Sequence, residues 1–293
     1  MRWRDGYIAV DWGTTNRRVY SVDGDGRLAG STEDDLGIMA IGKGGFESAV
    51  AEIRDRFANR PVLLAGMIGS NRGWREAPYV QCPAGAAELA AAILWLEPDA
   101  VGIVPGLSFS GEGRADVMRG EEVQIVGAAA AGLVPPDALI CHPGTHSKWI
   151  VTSGGRIESF RTMMTGELFG LLRRHSILAD QLGGPVTPDS GFLAGAAAGL
   201  AGEDLLSALF AIRARRLLGQ KGGSDAAYAS GLLIGADVRA GLGPDRQIPI
   251  ALIGRSDLRK LYAAVLEETG RTAVQVDGAT AFLAGIHVLT EML

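Results

Sequence analysis

The sequence predicts an α/β chain of two domains, each built on one β-β-β-α-β-α-β-α plan. Three observations carry this. Residues 7–32 read as strand, Gly-Thr turn, strand, Gly turn, strand. Residues 138–160 repeat that order. Each stretch is then followed by alternating helical and strand patterns, with Pro135-Pro136 standing between the copies. A length of 293 residues fits two domains of ordinary size.

In the first copy, 7–11, 17–23 and 27–32 are short apolar strands, and Asp23-Gly24-Asp25-Gly26 is a hairpin-turn signal between the last two. Phe46, Ala49, Val50, Ile53 and Phe57 recur at helical spacing. Residues 61–65 form a short buried strand, 84–95 an Ala-rich helix, and 100–104 a strand closed by Pro105-Gly106. A helix over 121–132 stops at Gly132 and the two prolines. In the second copy the strands are 138–141, 148–152 and 156–160, followed by helices at 166–178, 191–200, 203–218 and 226–240. Strand 247–253, helix 256–269, strand 272–276 and helix 279–291 complete it.

Composition narrows the class. Hydrophobic residues make up 47% of the chain, enough for substantial cores. Glycine accounts for 42 residues, roughly twice ordinary usage, and reads as tight turns and close backbone approaches. The 28 basic and 33 acidic side chains form no basic block, which argues against nucleic-acid binding. Cys82 and Cys141 have no metal-type spacing, and Cys141, His142 and His146 do not follow a zinc pattern. The start, Met1-Arg2-Trp3-Arg4-Asp5-Gly6, has no signal-peptide core, and no apolar run is long enough to span a membrane. A cytoplasmic protein is expected. The oligomeric state is open, a homo-oligomer included.

The run Asp11-Trp12-Gly13-Thr14-Thr15-Asn16 carries the first chemistry. Gly13 lets the backbone approach a ligand closely. Turn N–H groups and the Thr14 and Thr15 hydroxyls, with the Asn16 amide, suit phosphate oxygens. Asp11, at the strand end, suits Mg²⁺ held through its water shell. The run lacks the Lys of a P-loop. Gly144 and Thr145 occupy the matching turn of the second copy. Two such domains facing each other set both turns on one nucleotide-binding cleft. Lys148, in the following strand, is a phosphate ligand or a solvated strand lysine.

These motifs resemble the sugar kinase, hexokinase, Hsp70 and actin superfamily. Asp11-Trp12-Gly13-Thr14-Thr15 is similar to its first phosphate motif and Pro143-Gly144-Thr145-His146-Ser147 to its second. Ala251-Leu252-Ile253-Gly254-Arg255-Ser256 resembles the adenosine motif, and Val276-Asp277-Gly278-Ala279-Thr280-Ala281 the segment before a last helix that returns to the first domain. The resemblance implies two ribonuclease H-like domains: 1–134 completed by 278–293, and 135–277. Narrower segments are Ala65-Gly66-Met67-Ile68-Gly69-Ser70-Asn71-Arg72-Gly73-Trp74, Val117-Met118-Arg119-Gly120-Glu121-Glu122, and Phe160 to Leu168 with its Met163-Met164-Thr165-Gly166-Glu167 core. Together with Ser230-Gly231-Leu232-Leu233-Ile234-Gly235-Ala236 they resemble 2-keto-3-deoxygalactonate kinases.

That family implies transfer of the ATP γ-phosphate, with Mg²⁺, to the 6-hydroxyl of 2-keto-3-deoxygalactonate. Related kinases place an Asp after a Gly at a helix start; here Gly120 precedes Glu121 and Glu122, which makes Glu121 the first candidate for the base and Glu122 the second. Gly254, Arg255 and Ser256, with Ser230 and Gly231, are the implied adenosine-binding residues. An anionic sugar wants an Arg for its carboxylate. Arg72, Arg75 and Arg119 are candidates, and Ser70, Asn71 and Trp74 sit in a loop suited to sugar hydroxyls. Thr165 and Glu167 line the cleft or cap a helix. Two alternatives stay open: a kinase for another acid sugar such as 2-keto-3-deoxygluconate, and a non-catalytic nucleotide-dependent regulatory protein on the same fold.

Overall fold

The structure is a computed structural model that describes residues 3, 5–42, 44–111, 113–220, 223–243 and 247–293. Of the N-terminal segment read above, Met1, Arg2 and Arg4 lie outside the described residues. The chain divides into two compact units. Unit 1 holds Met1–Pro136, Thr152–Phe160 and Gly278–Leu293; unit 2 holds Asp137–Val151 and Arg161–Asp277. The expected second domain, 135–277, thus differs at 152–160. There Ile157 and Ala84 exchange backbone hydrogen bonds of 2.8 and 3.0 Å within unit 1.

Unit 1 begins with β1 (Tyr7–Trp12), β2 (Arg17–Val22), β3 (Leu28–Asp34), α1 (Phe46–Arg56) and β4 (Val62–Gly66). It continues with β5 (Tyr79–Gln81), α2 (Ala86–Ala91), β6 (Leu94–Glu97), β7 (Val101–Ile103), β8 (Gly106–Gly111), β9 (Arg114–Met118) and α3 (Glu121–Ala130). The main sheet has the order β3-β2-β1-β4-β7-β6. β1, β2 and β3 are antiparallel, and β4 and β7 continue parallel to β1. Ile8, Val10, Trp12, Val62 and Leu64 pack against Val50 and Ile53 of α1.

The predicted helix over 84–95 is a correction. Only Ala86–Ala91 is helical, and Leu94–Glu97 turns back as an edge strand antiparallel to β7. Its alanines suit a helix, but the Trp95 ring is drawn over Gly102, where a Cβ would sit 3.1 Å from it. The small sheet β5-β8-β9 is an insertion that the repeat pattern did not contain.

Unit 2 is built from β10 (Ala138–His142), β11 (Ser147–Ser153), β12 (Arg156–Met163), α4 (Thr165–His175), α5 (Ser190–Ala201), α6 (Leu205–Leu217), α7 (Asp225–Leu242), β13 (Ile250–Gly254), α8 (Ser256–Glu268) and β14 (Ala273–Asp277). β11 and β12 pass from one unit to the other along the chain. The sheet order is β12-β11-β10-β13-β14, the same 3-2-1-4 core as in unit 1. α9 (Gly278–Glu291) then belongs to unit 1.

Among the described residues, each unit has a helix pair in backbone contact. In unit 1, a Cβ on Gly127 of α3 would lie 2.2 Å from Ala281 O of α9, and one on Gly285 of α9 would lie 2.0 Å from Val123 O. In unit 2, Gly231 and Gly235 of α7 face α5, with Cβ positions 2.0 and 2.3 Å from Phe192 O and Ala196 O. Much of the glycine excess therefore serves helix crossings as well as turns. Among the described residues no helix is long and apolar enough to cross a membrane. Cys82 and Cys141 are free and buried.

Candidate active site

In unit 1 the buried strand β1 carries Asp11 as its last residue but one, directly opposite Arg18 on β2. The Arg18 guanidinium lies 3.6 Å from the Asp11 carboxylate and donates to Glu33 at 2.9 Å. Burial pushes the Asp11 carboxyl up to about 6; Arg18 opposes the rise, and Glu121 and Glu33 add to it. Thr14, Thr15 and Asn16 are exposed in the turn that follows. Its carbonyls are occupied: Ile38 N donates to Gly13 O, Met39 N to Thr14 O and Gly37 N to Thr15 O, at 3.0–3.2 Å. With its carbonyls turned inward, the turn presents Thr14, Thr15 and Asn16 outward, where the Thr15 hydroxyl donates to Asn16 Oδ1 at 2.9 Å. Gly37 makes this possible, because a Cβ there would lie 2.4 Å from Thr14 O. Nothing in the sequence pattern marked segment 37–39.

β4 ends beside β1, with Asp11 paired to Ala65 and Trp12 to Gly66. Gly66 and Gly120 both have positive φ, +90° and +107°, and a Cβ on Gly120 would lie 3.1 Å from Gly66 Cα. Close approach of two glycines brings the start of α3 to the end of β4. The two glutamates there differ. Glu122 is fully buried, and both its oxygens accept the Gly120 N–H, at 2.7 and 2.8 Å. Burial, reinforced by Glu121, pushes its carboxyl up to about 8. Glu121 is half-buried and accepts the Arg119 N–H at 3.2 Å. Its charge raises the pKa of both Asp11 and Glu122, so the three carboxyl groups form one electrostatic cluster. Glu122, predicted as second candidate for the base, is instead bound to the helix start.

The loop after β4 holds the predicted sugar-binding residues. Ser70 is buried; its hydroxyl donates to Met67 O at 2.7 Å and accepts Arg72 N–H at 3.2 Å. Trp74 packs against the β1–β4 core, whereas Asn71, Arg72 and Arg75 are exposed. Arg119 is buried, donates to Ala77 O at 2.8 Å and lies over the Tyr79 ring at 4.3 Å. It fastens the loop, whereas Arg72 and Arg75 are exposed cations of the same loop, Arg75 donating to Trp74 O at 3.1 Å.

In unit 2, Gly144 and Thr145 form the turn between β10 and β11. Lys148 is not a solvated strand lysine: it is 7% exposed and donates to His146 O at 3.1 Å, across the turn. The Glu167 carboxylate is hydrogen-bonded to the His146 ring, and the Glu167 N–H donates to Thr145 O at 2.8 Å, so Glu167 braces the turn. Gly166 permits this packing; a Cβ would lie 2.5 Å from Gly144 O. Thr165 does not cap α4 but donates to Asp237.

A cavity of about 250 Å³ opens beside this turn. Gly144, Thr165, Ser230, Leu233, Leu258 and Tyr262 are among its lining residues. Ser230 thus reaches the cavity, whereas the predicted Gly231 faces α5 and serves helix packing. Gly254, Arg255 and Ser256 lie at the β13–α8 junction next to the lining residue Asp257, to which Arg255 donates at 2.8 and 3.2 Å. Sequence reading missed Asp237 and Tyr262, since a single Asp in an apolar helix carries no motif.

A family model described as 2-keto-3-deoxy-galactonokinase matches residues 11–289. The chain is 37% identical to the 2-dehydro-3-deoxygalactonokinase of Escherichia coli (strain K12), with 97% of each chain covered. A crystal structure of a Sinorhizobium meliloti protein matches with a TM-score of 0.90 at 34% identity, covering 97% of this chain and 98% of that one. The activator of the 2-hydroxyisocaproyl-CoA dehydratase from Clostridium difficile, solved with bound ADPNP, shares the fold alone; its TM-score is 0.52 at 10% identity, over 98% of this chain and 95% of that one.

Proposed function

The chain belongs to the 2-keto-3-deoxy-galactonokinase family, and from that premise we propose that it transfers the γ-phosphoryl group of ATP to the 6-hydroxyl of 2-keto-3-deoxygalactonate. It is a phosphotransferase with an alcohol acceptor. The observation that carries the residue roles is the carboxylate cluster of unit 1, set beside a turn of exposed hydroxyls.

Phosphoryl transfer asks a protein for positioning, charge neutralisation and a proton acceptor. Glu121 takes the proton of the 6-hydroxyl as that oxygen bonds to the γ-phosphorus. The bond from the γ-phosphorus to the β,γ-bridging oxygen breaks, and ADP leaves. Thr14, Thr15 and Asn16 hold phosphate oxygens from unit 1. In unit 2, Gly144 and Thr145 are the residues of the second phosphate turn, which the buried Lys148 fixes. The unit 2 cavity takes the adenosine against Ser230, beside the Gly254-Arg255-Ser256 junction. Arg72 or Arg75 meets the sugar carboxylate, with Asn71 on a hydroxyl.

Mg²⁺ fits Asp11. The Asp11 carboxylate, half-buried at the strand end with Arg18 3.6 Å away, would hold the ion through its water shell. Mg²⁺ supplies charge neutralisation at the phosphates.

The test is a coupled ADP-release assay with Mg-ATP and 2-keto-3-deoxygalactonate, 2-keto-3-deoxygluconate, galactonate and gluconate. Turnover on the first at least ~10-fold above the others is expected. Preference for another member overturns the substrate. For the base, Glu121→Gln is expected to lower kcat by roughly 100-fold or more while ATP affinity holds. An active Glu121→Gln enzyme removes the assignment.

A further inference from the structure

We propose that Asp237 is a positioning residue for nucleotide binding: it holds the walls of the unit 2 cavity in the geometry that receives adenosine. The inference rests on the reading of that cavity as the adenosine site.

Asp237 is 4% exposed, on the buried and mostly apolar inner face of α7. Its Oδ1 accepts Trp149 Nε1–H at 2.6 Å. Its Oδ2 accepts the hydroxyls of Ser147, Thr165 and Tyr262, the last at 2.6 Å. All four donors are neutral, and they come from β11, α4 and α8. A buried carboxylate is tolerated only when its lone pairs are satisfied, so each donor is needed.

The donors are not scattered. Thr165 and Tyr262 line the cavity. Ser147 follows the Gly144-Thr145-His146 turn and anchors it to α7. On α7, Ser230, Leu233 and Ile234 also line the cavity, and they stand seven, four and three residues before Asp237, on the same helical face. One carboxylate therefore ties three walls and the phosphate turn together. It also sets their polarity. The Thr165 and Tyr262 protons are committed to Asp237, so both oxygens offer only lone pairs to a ligand. That suits the N–H and O–H donors of a nucleoside.

Asp237→Asn keeps the shape but gives one side of the group to N–H₂, which cannot accept three hydroxyls. A hydrogen bond to a charged group converts to roughly tenfold in binding, so the KM for ATP is expected to rise about 10-fold or more. The KM for the acid sugar is expected to stay within about twofold while the KM for ATP rises, a split that loss of fold does not produce. Tyr262→Phe and Thr165→Val, each removing one donor, are expected to raise the ATP KM several-fold and to add little in the Asp237→Asn background. A folded Asp237→Asn enzyme with wild-type ATP KM, or one whose two KM values rise together, overturns the inference. If Asp237→Asn does not fold, an unchanged ATP KM in Tyr262→Phe overturns it. Leu258→Trp, which narrows the cavity from its half-buried wall, separates the premise: if calorimetry finds its ATP affinity unchanged, the adenosine reading falls and this inference with it.

Discussion

Glu122 is a carboxyl placed where water does not reach, and pH reports on it. Its folded pKa, about 8, lies above its ordinary value of 4.5. The native state thus holds a proton that the unfolded state has released, and stability falls as pH rises from about 4.5 through 8. Asp11, raised from 3.8 to about 6, acts in the same direction over a lower window. Glu122→Gln keeps an acceptor for the Gly120 N–H and removes the ionisation. It is expected to gain stability over the parent at pH 8 and little at pH 5, measured by urea unfolding at both. Equal pH dependence in the two proteins refutes this. Local groupings were legible where the chain is continuous: Asp11 stands with its exposed turn, and Gly120 with Glu121 at a helix start. What was not legible depends on burial. Lys148 and a solvated lysine look alike in sequence, as do Asp237 and a surface Asp, because only the fold brings Ser147, Thr165 and Tyr262 to one carboxylate.

At the scale of elements, strands with clean turn signals were read within two residues, β1 and β14 among them. Residues 84–95 failed because alanine favours helix locally while the pairing of Leu94 with Ile103 is decided by the sheet. The glycines of α3, α9, α5 and α7 were legible as an excess but not as a purpose. Their purpose is close helix crossing, and it makes a sharp expectation. Gly127→Val must push apart backbones that a Cβ would approach to 2.2 Å, costing roughly 3 kcal/mol of stability. Gly42→Ala, where a Cβ meets nothing within 4 Å, is expected to fall within about 0.5 kcal/mol of the parent. Urea midpoints measure both; comparable losses refute the distinction.

At the scale of the whole molecule, the duplicated plan was legible from two Gly-Thr turns and the spacing of strands. The insertion of β5, β8 and β9 was not, since short strands of three to six residues carry little pattern. Nor was the return of 152–160 to unit 1, which rests on the Ala84–Ile157 pairing far apart in sequence. Glu121 and its helix lean on α9 through Gly127 and Gly285, so a chain ended after Asp277 is expected to lose amide protection in α3 while α7 keeps it. Hydrogen exchange measures this, and protected α3 amides in the shortened chain refute it.

The same contact sets an order of events on the ribosome. Unit 1 is translated first, yet its α3 has no backbone seat until α9 emerges, after all of unit 2. The glycine face of α3 and the apolar residues beside it stay uncovered for the time it takes to synthesise the intervening residues, some seconds at ordinary rates of elongation. The segment made earlier is finished later, and in that interval α3 offers a chaperone a face to bind.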